Sequence, residues 1–196
     1  MRNYLLALFL IVFCISAQAQ SKSRFGMRAG LNITNIAEID SEERYDFYTG
    51  AYLAIKFTEQ YTLQFELNYS RQGAKLNEFN SLNINEVRID YLSVSILNKI
   101  YLVKRLHIVF GQYLDVNVYD NLIRSNDYFF WPYLDLGFIV GLGIDVVENL
   151  SLEARYRHGL IDVYSVSSET QPHVSNIGGR NTNKVFQLGL AYKFDF

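Results

Sequence analysis

Six charged residues, Arg28, Lys56, Glu66, Glu153, Arg155 and Arg157, have the chemistry to hold an ion or a small polar ligand. Each lies in a stretch of alternating residue types, on the side opposite the apolar one. Charges gathered on one face either line an ion path or neutralise one another where water is scarce. The second arrangement is the one favoured here, as a salt-bridge network that fills an interior and fixes strand register. His158, with Ser165, Ser167 and Ser168 close by in sequence, raises the question of acyl transfer, which needs a His–Ser pair and an orienting carboxylate. The spacing fixes no such geometry, and an interfacial histidine beside Tyr156 explains the residue, so no catalytic residue is assigned. His107 and His173 stand apart, which supports no metal site, and no cofactor is expected. Gly178-Gly179 lacks the lysine and the strand–helix context of a phosphate loop.

The elements that carry these residues are strands. In the last eleven residues, Phe186, Leu188, Leu190, Tyr192, Phe194 and Phe196 share one parity, while Gln187, Gly189, Ala191, Lys193 and Asp195 take the other. That is a ribbon with one aromatic and aliphatic face and one small, polar face. Seven earlier segments repeat the pattern, giving strands over 24–33, 47–57, 61–72, 87–97, 107–119, 133–146, 150–161 and 184–194. The apolar faces read Phe25, Met27, Ala29, Leu31 and Ile33 in the first strand and Leu134 to Val146, every second residue, in the sixth. The fourth is irregular, because Ile89 and Tyr91 oppose the parity of Leu92, Val94 and Ile96.

Connections alternate in length. Those around residues 58–60, 98–106 and 147–149 are short; those over 34–46, 73–86, 120–132 and 162–183 are long and polar and hold both prolines, Pro132 and Pro172. Short periplasmic turns and long outward loops are the habit of outer-membrane barrels. The third long connection carries Asp127-Tyr-Phe-Phe-Trp-Pro132, a packed loop base or a recognition patch. A soluble carrier barrel would show the same alternation turned inside out, and glycine decides between them. Nine of the 12 glycines lie in the strands (Gly26, Gly30, Gly50, Gly111, Gly137, Gly141, Gly143, Gly159 and Gly189), all on the polar face. In an eight-stranded barrel the interior barely admits side chains, so missing side chains there make room for long ones. Folding the sixth strand onto the seventh sets Gly141 opposite Arg155 and Gly143 opposite Glu153. The polar face is therefore the inner one, and the fold is an all-β, eight-stranded antiparallel up-and-down transmembrane barrel.

The rest of the chain agrees. Arg2, an uncharged apolar run from Tyr4 to Ile15 and Ser16-Ala-Gln-Ala19 read as a secretory signal peptide over 1–19, leaving 20–196 as one barrel domain. The run is shorter than the ~20 residues a spanning helix needs. The single cysteine, Cys14, falls within it, so the mature chain has no thiol chemistry. A net charge of −2 offers no broad basic field for nucleic acid.

The motifs Gly26-Met-Arg-Ala-Gly-Leu-Asn32, Tyr91-Leu-Ser-Val-Ser95, Asp135-Leu-Gly-Phe-Ile-Val-Gly-Leu-Gly143 and Glu153-Ala-Arg-Tyr-Arg-His-Gly-Leu160 give the chain a resemblance to the PorT-like outer-membrane β-barrel family of Gram-negative bacteria. Gln187, Gly189, Tyr192 and Phe194 resemble the C-terminal signal read by the barrel assembly machinery. The resemblance implies an eight-stranded barrel in the outer membrane and no single activity; its best-known member serves a secretion and gliding system. The expected function is non-enzymatic, a structural or interaction role through extracellular loops, with a protein partner there and outer-membrane lipid around the wall. The alternatives are a barrel that binds or transports small solutes and, behind it, a lipid-modifying enzyme.

Overall fold

Strands that cross a membrane have no water to satisfy their backbone, so each must be paired along both edges. The computed structural model describes residues 22–36, 41–76, 86–120, 129–130, 134–162, 165–166 and 182–194. Eight long strands run up and down in chain order: β1 (Lys22–Ile36), β2 (Arg44–Lys56), β3 (Tyr61–Leu76), β4 (Glu86–Tyr101), β5 (Leu106–Asp120), β6 (Leu134–Val147), β7 (Leu150–Asp162) and β8 (Thr182–Lys193). Each pairs antiparallel with the next. The circle closes where β1 pairs β8, from Gly26 opposite Lys193 to Ile36 opposite Asn183. Among the described residues no sheet edge is left along the wall, as the lipid core requires.

The outer surface is apolar. Met27, Leu31, Leu67, Val94, Leu136, Val140, Leu142, Leu188 and Leu190 all face outward and are exposed. Aromatic pairs flank this band. At the short-turn end Phe57 stacks on Tyr61 at 5.7 Å and Phe25 on Phe194 at 6.0 Å. Near the other end Phe47 leans on Tyr69 at 5.9 Å. Such rings prefer the interface between hydrocarbon and water. Ile89 and Tyr91, the irregular residues of the fourth strand, point inward and are buried.

Several strand boundaries differ from the sequence expectation. β4 continues to Tyr101, past residue 97, with Lys99 inside opposite Thr62, and the turn shrinks to 102–105. The pair Asn98 and Lys99 reads as a turn, yet the ladder continues because a carboxylate neutralises the lysine from across the barrel. At the opposite end β1, β3 and β4 extend to Ile36, to Leu76 and from Glu86. Spanning takes only about ten residues per strand, so these ends stand clear of lipid and no longer need apolar outward side chains. The alternation that marks a strand in sequence therefore fades before the strand does. Two short ladders add to this end: Ser41–Glu42 pairs β3 at Leu76 and Lys75, and Phe129–Phe130 pairs Ser165–Val166.

The signal region 1–19, both prolines, Trp131, Ser167, Ser168, His173, Gly178-Gly179 and Phe196 lie outside the described residues, as do residues 37–40 of the first long connection and most of the other three.

Candidate functional site

The turn at residues 148–149 sets the β6–β7 register, and with it the charged interior: Gly141 lies opposite Arg155 and Gly143 opposite Glu153. A methyl group on Gly143 would collide with the His107 ring and the Glu153 side chain, so its absence is what admits both. Likewise Gly189 leaves room for the Tyr48 hydroxyl.

Glu66 on β3 is the centre of the lower network. It accepts from Arg28 Nη1 at 2.6 Å, from Arg155 Nη1 and Nη2 at 2.9 Å each, from Gln64 at 2.6 Å and from Asn68 at 3.0 Å. Glu153 on β7 accepts from Arg155 Nη2 at 2.6 Å and Lys99 Nζ at 2.8 Å, with His107 Nε2 at 3.3 Å. All of these side chains are buried. Carboxylates taken out of water need such partners, and charge-assisted, bidentate arginine contacts are the strongest available.

A second level lies nearer the long-loop end. Arg157 Nη2 reaches both oxygens of Asp115, at 2.8 and 2.9 Å, and donates to Ser93 Oγ at 3.1 Å. Its guanidinium sits 4.0 Å from the centre of the Tyr113 ring, whose hydroxyl donates to Asp135 at 3.3 Å. A neutral chain continues this level: Gln187 donates to Asn32 at 2.9 Å, Asn32 to Ser70 at 2.9 Å, Gln72 to Ser70 at 3.0 Å, and Asn183 to Gln72. An apolar cluster of Leu97, Val109, Tyr113 and Ile139 also fills the interior. The two levels together hold Arg28, Lys99, Arg155 and Arg157 against Glu66, Glu153, Asp115 and Asp135. The charges at the middle of the lumen are thus bonded to one another.

Five of the six charged residues singled out in the sequence (Arg28, Glu66, Glu153, Arg155 and Arg157) lie in these networks. Lys56 does not. It has the inward parity but ends β2, beyond the network, where its 40% exposed side chain pairs with Glu59 at 2.7 Å. Lys99, Asp115 and Tyr48 are not among the residues singled out in the sequence, and His107 is read there as standing apart. The parity of Asp115 and Tyr48 was legible; Lys99 fell in an expected turn, and His107 has no charged neighbour in sequence to suggest Glu153.

Of the four residues that resemble an assembly signal, Gln187 is inside and bonded to Asn32, and Gly189 lies beneath Tyr48. Tyr192 is outward and meets Phe194 edge-on at 5.4 Å. His158 is outward too, against Phe138 at 5.2 Å, with Tyr156 Oη 3.4 Å from its Nδ1. Among the described residues no group of His, Cys, Asp or Glu is arranged to hold a metal ion.

Solved structures of similar fold are small outer-membrane proteins. Neisserial surface protein A is 16% identical with a TM-score of 0.55, covering 88% of this chain and 97% of its own. OprG from Pseudomonas aeruginosa is 13% identical with a TM-score of 0.51, covering 91% and 99%. Ail, the attachment invasion locus protein of Yersinia pestis, is 12% identical with a TM-score of 0.50, covering 88% and 99%, and was solved with a heparin analogue, sucrose octasulfate. At these identities the likeness is one of fold. No curated protein matches the chain. A family profile described as outer membrane protein beta-barrel domain matches residues 17–165, more than half of the sequence. With the closed lipid-facing barrel, that match makes this chain a member of the outer membrane protein beta-barrel domain family, resident in the outer membrane.

Proposed function

We propose that this protein is a filled, non-enzymatic barrel of the PorT-like kind, whose wall anchors outward connections that engage a protein partner. The observation that carries the reading is the bidentate contact of Arg155 with Glu66 through the middle of the lumen. A transport role needs a path at that level, and the charges that would line one are bonded to each other. An enzymatic role for His158 needs a nucleophile and a carboxylate beside it; among the described residues its neighbours are Phe138, Tyr156 and Lys184. The motifs of β1, β4, β6 and β7 support the PorT-like assignment, and with it a link to secretion. Residues 1–19 serve as the signal peptide. Gln187, Gly189, Tyr192 and Phe194 form the address read by the barrel assembly machinery, with Tyr192 and Phe194 presenting their rings at the interface.

Photo-crosslinking from the four long connections in intact cells tests the interaction role. A discrete adduct with one protein is the expected result; lipid adducts alone would refute it. Planar-bilayer recording tests the competing reading, since steady openings of the wild-type barrel would establish transport instead.

A further inference from the structure

On the outer wall His158 of β7 and Lys184 of β8 are direct cross-strand partners, and both face outward. Residues so paired stand about 5 Å apart at Cβ, and like charges there repel. Outward arginines near the same end are matched: Arg71 and Arg88 both donate to the Asp90 carboxylate. The His158–Lys184 pair has no such match, since among the described residues neither side chain forms an ion pair. Ionisable groups facing lipid are costly and call for a partner. The missing partner is an anion.

The wall beside the pair says which kind. Lys184 is the third residue of β8, at the long-loop end, which is the outer side of the membrane. Two residues deeper, Tyr156 lies opposite Phe186, and two deeper again Ala154 lies opposite Leu188. Cation, aromatic girdle and aliphatic wall follow one another at the depths where one lipid carries its phosphate, its backbone and its acyl chains. With the Tyr156 hydroxyl donating to His158 Nδ1 at 3.4 Å, Nε2–H is left as a donor beside Lys184 Nζ. Hydrogen bonds from such donors to phosphate oxygens are strengthened by charge. We infer that His158 and Lys184 hold the phosphate of one anionic lipid of the outer leaflet, whose chains lie along Tyr156, Phe186, Ala154 and Leu188. The site goes beyond the role of the outward connections and stands whatever they engage.

The test is native mass spectrometry of the folded full-length barrel, incubated in detergent with dioleoyl phosphatidic acid or with dioleoyl phosphatidylcholine. The wild type should retain one phosphatidic acid in preference to phosphatidylcholine by about tenfold or more. Lys184→Gln with His158→Gln should erase that preference, and Lys56→Gln, at the short-turn end, should leave it intact. Excess inorganic phosphate should not displace the lipid, because the chains contribute to its binding. Heat-dependent gel mobility confirms that each variant is folded. Equal retention of the two lipids by the wild type, an undiminished preference in the double variant, or displacement by inorganic phosphate would overturn the lipid site.

Discussion

Arg155 and Glu66 meet through two parallel hydrogen bonds of 2.9 Å, although 89 residues separate them in the chain. Their strands, β7 and β3, stand four apart in a ring of eight, which makes them opposite walls. The contact therefore spans the lumen, and Arg28 from β1 and Glu153 from β7 are tied to it. A barrel wall alone can slip in register or breathe; a bolt between opposite walls resists both.

Removing one end of that bolt leaves buried charge. Glu66→Gln strips Arg28 and Arg155 of their shared carboxylate and is expected to cost about 3–5 kcal/mol of folding stability. Urea unfolding in lipid vesicles measures it, and a loss below about 1 kcal/mol would show that the network is worth no more than a surface pair.

Space is as specific as charge here. Gly143→Val drives a side chain into His107 and Glu153 and is expected to destabilise by about 1–3 kcal/mol. Ala29→Val, on the lipid face of β1, serves as the control and should be close to neutral in the same unfolding experiment.

The outward face should be sensitive to depth. An arginine at Val140, midway along β6, is expected to cost about 2–4 kcal/mol, and the same residue at Leu134, near the end of the strand, about 0–1 kcal/mol. Equal costs at both positions would contradict the placement of the apolar band.

The bolt also predicts conductance. In planar bilayers the wild type should stay silent, and Glu66→Ser with Arg155→Ser should produce openings by exchanging the long bonded side chains for two hydroxyls. If the double variant is as silent as the wild type while still folded, the closure lies elsewhere, at the level of Arg157 and Asp115.

The sequence by itself determined the barrel and its polarity. Alternation has a period of two, so Phe186, Leu188 and Leu190 declare one face without reference to any other strand, and glycines confined to the other face declare that face the crowded one. Even Gly143 opposite Glu153 was legible, because a tight turn fixes register between neighbours. Only the tertiary structure decided who meets whom across the lumen. Closure of β1 on β8 brings β3 to β7 and β4 to β7, pairing Glu66 with Arg155 and Lys99 with Glu153 over distances in sequence that no periodicity encodes. It also removed Lys56 from the network: parity says which way a side chain points, and its height along the barrel decides what it reaches.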